Sequence, residues 1–195
     1  MKKPQVGTSS KTKIPVQKLP KPKFTVGPEN PEQYAKEKNQ YIKSIWETHI
    51  RNEIGFHELP KENKILGLQA LQKYGSRADI EKIQYYGYDI SKDTDIFKEY
   101  VKFVRKVGTI NDISPIRAKL DEETLAHYNE STIEEMLATI KHFDVDLAPP
   151  KYHVNTSWTE YMEFEALSKH TNPKIAENAK AIMKRLEQDN PWIHE

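Results

Sequence analysis

Asp93–Gly108, DTDIFKEYVKFVRKVG, is the stretch that decides the fold class. Ile96, Phe97, Tyr100, Val101, Val104 and Val107 recur at steps of three and four, which places them on one face of a helix with 3.6 residues per turn. Asp93 or Thr94 supplies an oxygen for the first free backbone N–H groups, and Gly108 stops the helix.

The same punctuation returns on both sides of this stretch. Before it, Ile80, Ile83 and Tyr86 share the inner face of a short helix stopped by Gly87, with Tyr85 or Tyr88 flanking a turn. Ile65, Leu68 and Leu71 mark a helix over about 60–74 that Gly75 ends. Tyr34, Tyr41, Ile42, Ile45, Trp46, His49, Ile50 and Ile54 predict a long helix over about 31–54, opened by Asn30-Pro31 and stopped by Gly55. After it, Ser114-Pro115 opens another helical piece, and Ser131-Thr-Ile-Glu134 reads as a capping box for Ile133, Met136, Leu137, Ile140 and Phe143. Ser157-Trp-Thr-Glu160 repeats that signal. Asn172-Pro173 starts a last helix with Ile175, Ala179, Ile182, Met183 and Leu186 on one face, ended at Asp189-Asn-Pro191.

No strand-like alternation of useful length interrupts these patterns. The expected fold is therefore all-α, an irregular bundle of about seven or eight helices. Residues 1–30 form an extended basic arm and 31–195 a single helical domain, with a proline-containing loop at about 144–156. The strongest helix starts, near 93, 131 and 173, lie about 40 residues apart, the interval of helix-pair arrays. Within the last of them, Leu167–Leu186 resembles one HEAT-type helix-turn-helix unit, and that resemblance implies a short helical-pair solenoid as the lesser reading.

The chain of 195 residues has no cysteine, which excludes disulfides, thiolate metal sites and a cysteine nucleophile. Its net charge of +1 hides an asymmetry. Residues 1–28 hold seven lysines and no acid, so the remainder stands at 1 − 7 = −6. An acidic body does not suit broad electrostatic binding of nucleic acid, whereas a basic arm suits an acidic partner. The opening residues lack the apolar stretch of a secretory signal, and five prolines by residue 28 oppose an amphipathic transit helix. The expected location is intracellular, cytoplasm or cytoskeleton first and mitochondrion second.

Chemistry-bearing patterns are sparse. His142-Phe-Asp144-Val-Asp146 with His153 has ligand-type residues, but iron and sugar-nucleotide sites of this kind belong to β-barrels and α/β sheets; a cation at a helix C-terminus explains His142 more simply. His57-Glu58-Leu-Pro-Lys61 lacks the second histidine of a zinc-protease helix. Asp93-Thr-Asp95 lacks the rest of a calcium loop. No catalytic residue, metal or cofactor is expected. An enzyme would need a deep pocket with convergent polar groups near His142 or His153.

The arm and two tryptophans offer more. Between its prolines the arm carries Lys13, Ile14, Val16, Lys18, Leu19, Lys21, Lys23 and Phe24, and a plain linker does not need so many apolar side chains. Trp158 belongs to a helix with apolar residues on more than one face, and Trp192 stands near the chain end. These ten residues are the expected partner contacts. The expected function is a non-enzymatic architectural or adaptor subunit of a large assembly. Its arm would thread along an acidic surface such as a microtubule, with an RNA–protein assembly second and an enzyme third.

Overall fold

The structure, a computed structural model, describes residues 14–51, 56–148 and 152–194, so Lys13, Ile54 and Gly55 lie outside the described residues. Among those described, nine α-helices and no strand occur. Seven have at least nine residues: α1 (Pro31–Ile45), α2 (Lys61–Tyr74), α3 (Arg77–Tyr85), α4 (Thr94–Val107), α7 (Glu130–Lys141), α8 (Trp158–Ser168) and α9 (Pro173–Asp189). Two are single turns, α5 (Ser114–Arg117) and α6 (Glu122–Leu125). The all-α class read from the sequence is the observed one.

The four main inner helices pack in chain order: α2 on α4, α4 on α7, α7 on α9. α8 then covers α9, and α1 with its continuation covers α2. Irregular connections join these helices into a serial layer.

α4 sits at the centre of this layer, and that position explains a residue the periodic reading left out. Phe103 is fully buried along with Val101 and Val104, because α4 has neighbours on two sides and cannot keep a single apolar stripe. Each such large side chain contributes about 1.5–3 kcal/mol through its removal from water.

Several boundaries differ from expectation for identifiable reasons. α1 ends as a regular helix at Ile45, and Arg51 is already extended. At Trp46 it widens into a π turn, Trp46–Ile50, closed by the Arg51 N–H bonding to the Trp46 carbonyl. The turn aims the Trp46 indole N–H at the Asp79 carboxylate, 2.7 Å away, satisfying a buried polar pair between this segment and α3. α7 is capped by Asn129, whose side chain accepts from the Thr132 N–H; Ser131 is spent on a hydrogen bond to that same Asn129 oxygen.

α7 also continues into a π turn, His142–Asp146, so residues 144–146 are not loop. Asp144 is buried there rather than solvated. Tyr86 is 40% exposed, not a core residue, and it is Tyr88 that packs against the core. The cause is Gly87, whose φ of 60° reverses the chain after α3 in a conformation that side-chain-bearing residues avoid.

Candidate functional site

The arm lies on the body. Residues 14–23 have no regular hydrogen-bonded structure, and prolines 15, 20 and 22 favour extension. Gln17 is held twice through its backbone: its N–H donates to Asn63 Oδ1 at 2.8 Å, and its carbonyl accepts from His49 Nε2 at 3.2 Å. Leu19 and Phe24 pack against the core. The Phe24 ring meets Tyr34, Tyr41 and Tyr74 edge-on, with centroids 5.3, 6.1 and 5.4 Å away. Beyond it, the Thr25 N–H and hydroxyl both donate to Glu37, which holds that carboxyl below its ordinary range; the Thr25 hydroxyl is the largest cause.

The contact points give the direction. From Gln17 to Phe24, seven polyproline-like steps cover about 22 Å. From Asn63 to Tyr74, eleven helical steps cover about 17 Å. The arm therefore runs beside α2, from its first turn to its last.

The arm's apolar residues thus have an intramolecular use that their spacing alone did not reveal. Leu19 and Phe24 turn inward and Ile14 is half-buried, while Val16 is 53% exposed and Lys18, Lys21 and Lys23 all face solvent. Lys13 lies outside the described residues.

Next to the arm's inner end, α2 and α4 enclose a groove of about 750 Å³ lined by Gln69, Gln72, Lys73, Lys102, Arg105 and Lys106, with His142 at its edge. Lys102 is paired with Glu99 and Arg105 with Glu135, at 3.0 and 2.6 Å. Lys73 and Lys106 have no carboxylate partner among the described residues, and both are exposed. The Lys73 ammonium sits 5.2 Å above the Tyr74 ring, the same ring that meets Phe24. Tyr74 therefore joins arm and groove. Nothing in the sequence pattern singled out this groove, because its cations come from helices 30 residues apart and each reads by itself as an ordinary exposed lysine.

At the far end of the layer, Trp158 on α8 is 55% exposed and Trp192 is 40% exposed, with their rings 6.4 Å apart. Ile193 is buried, so the chain end folds back on the body and still leaves its tryptophan on the surface. Met162 extends the same patch. Phe164 and Leu167 fill the inward face of α8, and the half-buried Tyr161 donates to Glu187 at 2.6 Å; burial and that carboxylate push its hydroxyl up to about 12.

The region around His153 forms a cleft of about 260 Å³ with Arg117, Asp144 and Glu160 in its wall. These three groups serve one another: Arg117 is hydrogen-bonded to both carboxylates, and Asp144 is fully buried. Burial pushes the Asp144 carboxyl above its usual range against the opposing pull of Arg117. His153 itself is exposed and His142 lies at the basic groove, so the fold does not bring the two histidines together in one wall. Among the described residues, no three His, Asp or Glu side chains are arranged to hold a metal ion, and no helix is long and apolar enough to cross a membrane.

Comparison with protein-family models, with curated proteins and with solved structures finds no match to this chain.

Proposed function

We propose that the protein is a non-enzymatic adaptor that grips an acidic protein surface with its arm and basic groove, and offers the Trp158–Trp192 patch to a second component of the same assembly. The observation that carries this reading is the groove: four lysine and arginine side chains converge on one face of a body whose net charge is −6, beside an arm that displays three more lysines. Positive charge concentrated against an otherwise acidic background steers acidic partners to one place and repels them elsewhere.

An acidic polypeptide suits these groups better than RNA. Arg105 is the groove's only guanidinium and is held by Glu135, which leaves lysine point charges rather than the free arginine forks that recognise phosphate. A microtubule-like filament, with an acidic surface, is the partner type that this charge pattern favours. Exposed tryptophans at one end of a helical layer support a second contact, since Trp is enriched at the energetic centres of interfaces.

Co-sedimentation tests the choice of partner. The intact protein should pellet with microtubules and lose that association when Lys18, Lys21, Lys23, Lys73 and Lys106 are changed to Glu. Equal binding of the reversed variant, or tighter binding to structured RNA with a steep salt slope, contradicts the reading.

A further inference from the structure

At Gln17 the groove that holds the arm reads backbone rather than side chain. Gln17 is gripped only through its N–H and carbonyl, by Asn63 from α2 and His49 from the π turn, while its own side chain is exposed. Gripping both polar groups of one residue suits any extended chain that has an N–H at that position. The arm meets this requirement between prolines 15 and 20, neither of which could donate.

The arm also leaves the site incompletely satisfied. Asn63 is fully buried, and its amide nitrogen has no hydrogen-bond partner among the described residues. Its orientation is fixed, because the Gln17 N–H needs the amide oxygen. A buried donor without an acceptor is costly, so an occupant that presents one more carbonyl at Asn63 has an advantage over the arm. Removal of the arm is also possible without unfolding a helix: residues 14–25 precede α1, and the chain turns at Gly27, where the Asn30 N–H bonds the Gly27 carbonyl at 3.1 Å.

We infer that the groove between Trp46–Ile50 and α2 is a binding site for an extended, proline-containing peptide of a partner protein, and that the arm occupies it in cis as a displaceable strap. The ligand has an N–H at the clamped position, a leucine-like side chain two residues on and an aromatic one seven residues on, as Gln17, Leu19 and Phe24 are spaced. The inference does not depend on the charge of the neighbouring groove.

A backbone clamp makes a distinctive experiment available, with a fluorescent peptide of residues 14–24 as probe and the full chain as receptor. Gln17→Pro removes the strap's own N–H without altering the groove, whereas Gln17→Ala keeps it. The full-length Q17P protein should bind the probe at least about tenfold more tightly than wild type, a difference of about 1.4 kcal/mol. Q17A should match wild type, a probe carrying Pro at position 17 should not bind, and Asn63→Leu added to Q17P should abolish the gain. Phe24→Ala frees the other end of the strap and should act in the same direction if Q17P is poorly folded. The inference is overturned if folded Q17P and F24A bind the probe no better than wild type, or if the gain survives N63L. A concentration-dependent dimer that the probe cannot dissociate also overturns it, since the natural occupant is then the arm of a second copy.

Discussion

The Phe24 and Tyr74 rings meet edge-on, 5.4 Å apart and 78° between planes, joining the basic arm to the last turn of α2. Phe24 also touches Tyr34 and Tyr41, so one side chain holds the inner end of the arm through three aromatic contacts. Phe24→Ala should lower stability by about 2 kcal/mol, less than a fully buried phenylalanine, because Phe24 is only half-buried. Urea denaturation measures the loss, and limited proteolysis should show cleavage moving into residues 14–25.

Arg117 is the second sensitive point. Arg117→Ala strands the Asp144 carboxylate, which is 1% exposed, and should cost about 3–5 kcal/mol. Replacing both partners, as in Arg117→Met with Asp144→Leu, should recover much of the loss. If the double variant is no more stable than R117A in thermal denaturation, the buried charge is not the cause.

Gly67 lies in the middle of α2, where alanine ordinarily favours a helix by about 1 kcal/mol. Here a Cβ would stand 2.6 Å from Ile50 Cδ1 and 2.9 Å from His49 Cβ. The Ile50 tip can move, but His49 Cβ is fixed to the π turn, so Gly67→Ala should be net destabilising by about 1–2 kcal/mol and should loosen the His49–Gln17 contact. A rise in melting temperature would show that the π turn yields easily.

Much of the fold was legible because helix starts, stops and apolar spacing are local. Asn30-Pro31, Gly75, Gly108 and Asn172-Pro173 mark observed boundaries. The departures come from long-range contacts. Phe103 is buried because α4 has two neighbours and Asp144 because Arg117 reaches it from α5, while Phe24 is half-buried because tyrosines from two helices surround it. The arm and the two tryptophans stood out by composition, whereas the basic groove arises only when α2 and α4 lie side by side.

His49 gives the protein a dependence on mild acid. Burial holds its imidazole below the ordinary value, with the Gln17 carbonyl opposing in part. A lowered folded value means that the unfolded chain binds the proton more readily. The stabilising contribution is therefore present above the unfolded value of about 6.5 and is lost as pH falls through the folded one. Melting temperature should drop in that direction, and His49→Gln should flatten the change. An unaltered pH profile in H49Q would assign the acid sensitivity to other groups.

Fluorescence anisotropy with a glutamate-rich probe peptide tests most directly whether arm and groove form one acidic-partner site. The intact protein should bind saturably at about 0.05 M salt and more weakly at about 0.15 M, as screening shortens the reach of surface charge. Lys73→Glu with Lys106→Glu should weaken binding at least about tenfold, and so should reversal of Lys18, Lys21 and Lys23. Unchanged affinity in either folded variant, or no saturable binding by the intact chain, would contradict the proposed site.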